Sequence, residues 1–313
     1  FESSDVDFFS TIGTQVSALL QSLSLRDALK RFVPFEFLDL LEKKSIQEIQ
    51  TSDHVSVNMH VMFTDLRNFT LMAETIGPEA VYMVLNEYLA VMEPQIAAAG
   101  GFISQYAGDA IMALFSAKAD HAVESAIHMF RALKTLNEKR LDRGEEALQI
   151  GIGINSGRLL LGAVGSKKRL DTNVVGDAAN LSSRVEGMTK VYGAKVLISG
   201  STYSQLIDPS NFTFRELDRV IVAGKTEPVL VYELLDVDSE TLREQKRESA
   251  QLFAEGLHCY RTGNFQGARL LFANCLVQAP LDEAAALYIS RCAKLISRPP
   301  AGVWDGTTVL FAK

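Results

Sequence analysis

The stretch Val61 to Thr70, VMFTDLRNFT, constrains this chain more than any other, because one carboxylate interrupts an apolar run that a polar loop closes. Residues 59–64 are mostly β-branched, aromatic or sulfur-bearing, which predicts a buried strand that ends where Asp65 begins a turn. The following loop precedes a helical pattern from Leu71, so its amide groups can face an anion at a helix start. An acid before an amide-rich loop suggests a site for a metal-bound triphosphate. Taken alone, an Asp in this position is more often a helix cap.

A second carboxylate, Asp109, lies in Gly100 to Phe115, GGFISQYAGDAIMALF, which predicts a strand, a tight turn and another strand. Asp109 is therefore expected at the tip of a hairpin. If this hairpin pairs beside the first strand, Asp65 and Asp109 converge, and carboxylates about 4 Å apart repel each other by roughly 1 to 4 kcal/mol. A bound divalent cation removes that repulsion, and ligands that are all oxygen favour Mg²⁺ or Mn²⁺ over zinc.

Composition and charge exclude several classes of protein. With 313 residues and 47% hydrophobic content, the chain can bury a full core and is predicted to hold one main domain with appendages. A net charge of −7 argues against a nucleic-acid or anionic-membrane surface. No apolar run reaches about 18 residues, so no segment is predicted to insert into a membrane. The cysteines have no CxxC spacing, which favours reduced, buried thiols in the cytoplasm; they are Cys259, Cys275 and Cys292.

The N-terminal residues 1–30 are predicted to form a signalling linker. Their apolar side chains recur at three- and four-residue steps, which is typical of an amphipathic helix with a coiled-coil tendency. The stretch FESSDVDFFSTIGTQVSALLQSL resembles the last helix of a GAF sensory domain, which implies an upstream sensory domain in the full-length protein. The chain begins at Phe1 rather than Met, so we expect a fragment of a longer protein.

Two later stretches place polar residues beside predicted turns. Leu148 to Gly165, LQIGIGINSGRLLLGAVG, predicts two strands joined by a turn, with Arg158 just beyond it. Lys167 to Met188 predicts a short strand, a turn and a helix that carries Asn180 and Arg184, whose four-residue spacing puts both on one face. Taken alone, Arg158 fits a solvated charge at a strand edge. Without other motifs, an exposed hydrogen-bonded pair would be the favoured interpretation of Asn180 and Arg184.

A change of composition near residues 236–247 predicts a domain boundary. Beyond it, several residues fall at the spacing of a tetratricopeptide helix pair; they are Gly256, Gly263, Phe265, Ala268, Phe272 and Pro280. One such repeat cannot bury its faces alone, so residues 236–298 are expected to dock on the main domain or on a second chain. The tail, residues 299–313, is predicted to form a short strand or lid anchored by Trp304.

Five motifs together resemble the catalytic domain of class III nucleotidyl cyclases, over residues 31–235: FTDLRNFT, GGFISQYAGDAIMA, GIGINSGRLLLGAVG, VVGDAANLSSRVE and GKTEPVLVYEL. Their order and spacing fit the family throughout. The resemblance implies an α+β, ferredoxin-like fold, with a mixed, mainly antiparallel sheet flanked by helices and with the N-terminal helix and C-terminal helical appendage added to it. It also implies a head-to-tail homodimer with two equal active sites at its interface.

The resemblance implies a role for each matching residue. Asp65 and Asp109 match the two metal-binding aspartates, and the Leu66 carbonyl completes the coordination of two Mg²⁺ or Mn²⁺ ions per site. Asn180 and Arg184, supplied by the other subunit, match the pair that positions the ribose and stabilises the transition state. The other expected substrate contacts are Lys225 on the triphosphate, Arg158 on a further phosphate, and the loop residues Phe69 and Thr70.

The implied reaction converts ATP to cyclic AMP and pyrophosphate by attack of the 3′-hydroxyl on the α-phosphorus. One metal lowers the pKa of the hydroxyl and the other holds the triphosphate, so Asp65 is expected to be both a ligand and a catalytic residue. Arg184 and Lys225 would counter the negative charge that gathers on the leaving pyrophosphate.

The residues expected to select the base leave the choice of nucleotide open. Gln105 stands where adenylate cyclases usually carry Lys and guanylate cyclases Glu, and Asn173 stands where the former carry Asp or Thr and the latter Cys. Adenine needs a donor at N1 and an acceptor for its amino group, which these two amides provide. Rotating both amides suits guanine, so a guanylate or dual-specificity cyclase is the alternative. We favour adenine because bacterial-looking members mostly use ATP and because it fits without an ionic partner for either base.

One loop position departs from the family. Asn68 stands where the phosphate loop usually has Gly, and because Asn tolerates left-handed dihedral angles we expect the loop to keep its shape.

A catalytically idle nucleotide-binding or scaffold module, with the tetratricopeptide-like helices as its working surface, is the hypothesis from a different class. The presence of Asp65, Asp109, Asn180 and Arg184 favours the enzyme. A diguanylate cyclase is disfavoured because its Gly-Gly-(Asp/Glu)-Glu-Phe loop is absent. The sequence therefore predicts a cytoplasmic adenylate cyclase that acts in signal transduction.

Overall fold

The computed structural model describes residues 12, 14–25, 34–166, 169–222, 226–300, 302 and 304–310. Lys225 lies outside the described residues, as do parts of the predicted linker and tail. The chain divides into two compact units, a smaller one of Phe1–Val55 with Leu161–Asn173 and a larger one of Ser56–Leu160 with Val174–Lys313. The domain boundaries predicted from the sequence stay predictions.

The described part of the chain contains both helices and strands. The helices are α1 (residues 14–25), α2 (Phe35–Leu40), α3 (Phe69–Ile76), α4 (Pro78–Ala98), α5 (Ala119–Asp142), α6 (Asp177–Tyr192), α7 (Gly200–Tyr203), α8 (Glu240–Glu248), α9 (Ala250–Arg261), α10 (Phe265–Gln278) and α11 (Glu283–Ser297). The strands are β1 (His54–Leu66), β2 (Gly101–Ala107), β3 (Ala110–Phe115), β4 (Ile150–Ser166), β5 (Arg169–Val175), β6 (Val196–Ser199), β7 (Phe214–Val222), β8 (Val229–Leu234) and β9 (Thr308–Leu310). Among the described residues, no helix combines the length and the apolar character that crossing a membrane requires.

The strands form one mixed sheet in the order β2-β3-β1-β4-β6-β8-β7-β9, and β5 pairs with β4. The pairs β1–β3, β2–β3, β6–β8 and β7–β8 are antiparallel, whereas β4–β6 and β7–β9 are parallel. The α+β class with a mixed, mainly antiparallel sheet and flanking helices is thus confirmed.

The stretch Leu148 to Gly165 differs from its prediction, because β4 runs without interruption where two strands and a turn were expected. Asn155 and Ser156 are buried, and both find partners there. The Asn155 amide donates to the Ala178 carbonyl at 2.8 Å, and the Ser156 hydroxyl and the His60 ring are hydrogen-bonded at 2.7 Å. The polar residues therefore mark tertiary contacts of a continuous strand, because a buried polar group needs a partner and not a turn.

In the smaller unit, α1 exposes the apolar side chains that predicted an amphipathic helix, among them Val16, Leu19 and Leu23. Its role as a signalling linker stays a prediction. Helix α2 buries Phe37 and Leu38.

Two hydrophobic cores lie in the larger unit, one for each group of helices. The first joins α4 and α5 to β1, β3, β4 and β6, with Tyr88, Met92 and Phe115 fully buried. The second joins α6 to β6, β7 and β8 and to α9, α10 and α11. Helix α6 therefore stands between the sheet and the C-terminal helices.

The C-terminal residues dock on the strands of their own chain, which was one of the two arrangements expected. Helices α9, α10 and α11 follow one another through short connections and share the second core. Their assignment as a tetratricopeptide pair stays a prediction. In the tail, β9 pairs with β7, and the Trp304 indole N–H donates to the Tyr260 carbonyl at 2.7 Å, so the predicted anchoring is confirmed.

Candidate active site

The structure brings the carboxyl groups of Asp65 and Asp109 together. Thr64 of β1 pairs with Ile111 of β3, so the next residue of β1, Asp65, lies beside the turn that carries Asp109. Gly108 has φ +67°, which is the left-handed conformation that this tight turn needs. Burial, together with the neighbouring Asp65 carboxyl group within hydrogen-bonding reach, raises the pKa of Asp109 to about 6. The two carboxyl groups are thus held close together, where their negative charges repel each other.

The donors at this point suit a hard divalent cation. The Leu66 side chain is buried in the first core, so any contact of Leu66 with a metal would have to come from its backbone carbonyl. Within the described part of the chain, no group of three or more His, Cys, Asp or Glu side chains could enclose a metal. Two carboxylates and a carbonyl leave coordination positions for phosphate oxygens and water, which is how Mg²⁺ is commonly bound.

Lys190, near the end of α6, is a member of this site that the sequence did not reveal. Its ammonium group lies 3.0 Å from Asp65 Oδ2, although half of the Lys190 side chain is exposed. An ammonium group beside the carboxylate pair offsets part of their repulsion. The two residues are 125 positions apart in the sequence, and Lys190 lies on a different face of α6 from Asn180, so no local pattern points to the contact.

The loop after β1 is fastened to the end of α6 by Arg67. Its backbone N–H donates to the Gln149 carbonyl at 2.8 Å, and its Nη2 donates to Thr189 Oγ1 at 2.6 Å. Burial lowers the pKa of the Arg67 guanidinium, against the attraction of Glu186. The loop that follows Asp65 is therefore held by a side chain rather than left to solvent.

The loop itself has the conformation that the sequence predicts. Asn68 adopts φ +57°, in the left-handed region where the family usually has Gly, as expected. Phe69 begins α3 and packs against the first core, while Thr70 is exposed. Thr70 can therefore reach a ligand, whereas Phe69 mainly fixes the start of α3.

Helix α6 packs closely on the sheet. The Ser182 hydroxyl donates to the Val61 carbonyl at 2.6 Å and lies 3.0 Å from the Gly153 carbonyl. Gly153 is required here, because a Cβ atom in its place would overlap the backbone of Glu186. Glu186 itself is buried, and burial raises its pKa.

Asn180 and Arg184 lie on the open face of α6. Asn180 is exposed and Arg184 is half-buried, and neither side chain has a hydrogen bond or ion pair within the residues that the structure describes. Lys190 follows Arg184 by six residues, which rotates it by about 120° around the helix axis. Because Lys190 contacts Asp65, Asn180 and Arg184 lie on a different face of α6 from the residue that meets the carboxylate pair of the same chain.

The structure does not bring the remaining predicted residues together with the carboxylates by any hydrogen bond or ion pair in the described ranges. Gln105 is exposed at an irregularity in β2, and Asn173 lies half-buried in β5, in the smaller unit. Arg158 is exposed on β4, and its Nε donates to Ser56 Oγ at 2.6 Å. A phosphate contact of Arg158 would have to replace that bond.

Most of the chain matches the model of a known protein family. Residues 35–235 match the adenylate and guanylate cyclase catalytic domain. The chain belongs to this cyclase family. Its match ends before α8, so the C-terminal helices lie outside the part of the chain that the family model describes.

Named adenylate cyclases are among the relatives of this cyclase. It is 37% identical over 245 residues to an adenylate cyclase of Anabaena cylindrica, covering 74% of this chain and 49% of that protein. It is 32% identical over 281 residues to the terminal-differentiation specific adenylate cyclase of Dictyostelium discoideum, covering 88% of this chain and 13% of that protein. The chain therefore spans half or less of the length of these curated relatives.

Solved cyclase structures of both nucleotide types resemble this one. The adenylyl cyclase CyaB from P. aeruginosa has a TM-score of 0.52 at 29% identity, covering 60% of this chain and 97% of that one. The guanylyl cyclase Cya2 has a TM-score of 0.52 at 31% identity, covering 58% of this chain and 93% of that one. A bacterial light-regulated adenylyl cyclase has a TM-score of 0.60 at 22% identity, covering 72% of this chain and 65% of that one, and shares the fold.

Proposed function

We propose that this cyclase converts ATP to cyclic AMP and pyrophosphate, at sites that form between the two subunits of a homodimer and bind two Mg²⁺ or Mn²⁺ ions each. The observation that carries the proposal is the convergence of Asp65 and Asp109 at the end of β1. Two close carboxylates in one site are unfavourable unless a cation binds them. The name of the Anabaena relative supports ATP as the substrate.

The metal ions are held by the Asp65 and Asp109 carboxylates and the Leu66 carbonyl. When bound, such ions lower the pKa of the attacking hydroxyl and stabilise charge on the triphosphate. Asp65 and Asp109 supply the negative charge that holds them, and Arg67 keeps the adjoining loop fixed against α6. The amide groups of the loop up to Thr70 face the phosphates at the start of α3.

The faces of α6 support a site shared between two chains. Asn180 and Arg184 lie on a different face of α6 from Lys190, which contacts the Asp65 of their own chain, so a second molecule can approach them. In a two-fold homodimer, each chain can offer this face to the carboxylates of the other, which gives two equal sites. There Asn180 orients the ribose and Arg184 stabilises the charge of the transition state, with Arg158 and Lys225 on the phosphates.

Adenine is recognised in this proposal by the Gln105 and Asn173 amides, as donor to N1 and acceptor from the amino group. A guanylate cyclase is the second candidate, because Cya2, a guanylyl cyclase, is 31% identical to this chain and because the same amides can rotate. A catalytically idle scaffold is less favoured, since exposed Asn180 and half-buried Arg184 have no hydrogen bond or ion pair in the described ranges.

The wider setting of the enzyme is part of the same proposal. A sensory domain precedes α1 in the full-length protein, and the signal passes to the cyclase through that helix in the cytoplasm. The support is the resemblance of the N-terminal residues to a sensory-domain helix and the greater length of the relatives.

Product formation tests the proposal directly. The purified chain is expected to form cyclic AMP from ATP, and less cyclic GMP from GTP, with Mg²⁺ or Mn²⁺. Chromatography of the products at matched substrate concentrations measures the ratio. Asp65→Ala is the control for a contaminating enzyme. Mostly cyclic GMP would reverse the assignment of the substrate, and no product from either nucleotide would favour the scaffold.

Lys190 provides a test of the metal site that does not depend on turnover. Lys190→Met is expected to tighten Mn²⁺ binding to the nucleotide-free protein, because the Lys190 ammonium group competes with a cation for Asp65. A pair with a half-exposed Lys is worth about 0.2 to 1 kcal/mol, so the dissociation constant should fall by up to about fivefold. Electron paramagnetic resonance of free Mn²⁺ measures it. The exposed Lys294→Met is the matched control and should change nothing; weaker binding by Lys190→Met would contradict the assignment.

A further inference from the structure

The C-terminal helices contact the catalytic part of the chain through α6. One face of α6 enters the second core, where it meets side chains of α9, α10 and α11 such as Phe253, Phe272 and Tyr288. The α6 residues in this core recur at steps of four, three and four; they are Leu181, Val185, Met188 and Tyr192. The same helix presents Asn180 and Arg184 on its open face, so a shift of this core would move them.

A polar joint fastens the end of α6 to α11. The Tyr192 hydroxyl donates to Asp218 Oδ2 at 2.5 Å, and Arg291 Nη1 donates to the same oxygen at 2.7 Å. The Arg291 guanidinium also lies 5.1 Å from the ring centroids of Tyr192 and Tyr288. Asp218 is 1% exposed, and a carboxylate so buried needs both partners in place.

A second buried ionic cluster fixes the C-terminal helices to the sheet. Arg215 of β7 donates to Glu233 of β8 and, through Nη1, to Asp282 Oδ2 at 2.5 Å at the start of α11. Lys246 of α8 reaches Glu233 Oε1 at 2.7 Å. These charged groups are almost completely buried, so the cluster is costly to separate once formed.

The start of α11 also touches the end of α6. Gly193 ends α6 with φ +64°, and any Cβ atom there would overlap Glu283. The charge of Glu283 acts on Arg67, which holds the loop after Asp65. The C-terminal helices thus border both halves of the candidate site, the α6 residues and the metal loop.

We propose that α9, α10 and α11 hold α6 in a fixed position against the sheet. Tyr192, Asp218 and Arg291 are then positioning residues, and through α6 they determine where Asn180 and Arg184 lie. This inference rests on the proposed function, because Asn180 and Arg184 have their roles there. Residues 236–297 lie beyond the part of the chain that matches the family model. The inference assigns them a supporting role in catalysis, whereas the scaffold hypothesis makes them a binding surface for another protein.

Tyr192→Phe is the decisive variant, because it removes the hydroxyl between α6 and Asp218 and keeps the ring in the core. A displacement of about 1 Å in a positioned group can cost up to about 10²-fold in rate, so kcat is expected to fall on the order of 10-fold. The KM for ATP should stay within about twofold, because the metal loop holds the triphosphate on the other chain.

Ser249→Ala is the matched control. It removes a buried hydroxyl from the C-terminal helices, one that donates to the Gln245 carbonyl of α8 at 3.0 Å and lies 3.3 Å from the Lys246 carbonyl. Both variants are expected to lower the melting temperature by about 2 to 4 °C. Only Tyr192→Phe should lower kcat, assayed well below both transitions. Equal kcat values for the two variants, or a loss in both, would overturn the inference.

Hydrogen exchange separates this inference from the proposed function. Tyr192→Phe should lose amide protection across α6, residues 177–192, and Ser249→Ala should not. If the wild-type chain makes no cyclic nucleotide, the proposed function fails and the exchange result alone decides whether the joint holds α6. If the wild type is active and the amides of α6 exchange at the same rate in both variants, the inference that the C-terminal helices position α6 is wrong and the proposed function stands.

Discussion

Asp109→Asn is expected to reduce cyclic AMP formation by at least about 10²-fold while leaving the metal-free protein no less stable. The carboxylate is one of two that would hold the metal ions, and removing one preorganised charge from a transition state commonly costs 10² to 10³ in rate. Asp109 is also a near neighbour of a like charge, Asp65. Asn keeps the size of the side chain and ends the repulsion.

The measurement pairs initial rates with thermal unfolding in a metal chelator. In the chelator, the melting temperature of Asp109→Asn should equal or exceed that of the wild type, since one like-charge contact is gone. Asp39→Asn is the matched control: Asp39 is an exposed acid of α2, and its change should alter neither quantity by much. A variant that loses activity together with several degrees of stability would show that Asp109 has a structural role.

The sequence predicted those features of the site that depend on residues close together in the chain. The turn at Gly108 and the pairing of neighbouring strands were enough to bring Asp109 to Asp65. The left-handed loop position of Asn68 follows from the side chain that stands there. The face shared by Asn180 and Arg184 follows from helical periodicity alone.

The contacts that the sequence did not predict join residues far apart in the chain. Lys190 lies on the same helix as Asn180, yet only the packing of α6 on β1 reveals that it faces Asp65. Arg67 lies in the loop after Asp65, and its bond to Thr189 spans 122 positions. A periodicity identifies one face of a helix, whereas α6 uses three: one for the sheet, one for the C-terminal helices and one left open.

The error in β4 has the same origin. Asn155 and Ser156, followed by a Gly, have the composition of a turn, and local chemistry alone favours one. The strand continues because their side chains are satisfied across the fold, by Ala178 and His60. Hydrogen bonds to distant residues therefore outweigh the local preference for a turn at Asn155 and Ser156. Buried polar side chains need such partners wherever they occur in a fold.

A mixture of Asp65→Ala and Arg184→Ala chains is expected to regain activity that neither variant has alone. If each site takes its carboxylates from one chain and its α6 face from the other, a heterodimer of the two variants has one site free of both substitutions. Random exchange at equal concentrations makes half of the dimers heterodimers, so recovery should approach about a quarter of wild-type activity. Each homodimer alone should stay at least about 10²-fold below the wild type.

A second mixture tests whether the recovery requires substitutions on opposite halves of the site. Asp65→Ala mixed with Asp109→Ala should regain nothing, because both changes fall on the same half of the site and every heterodimer site carries one of them. Native mass spectrometry of differently tagged chains measures the exchange in both mixtures. With exchange confirmed, recovery in neither mixture would place all three substituted residues of a site within one chain. Since Lys190 ties Asp65 to the face of α6 that lies about 120° from Arg184, we expect recovery in the first mixture only.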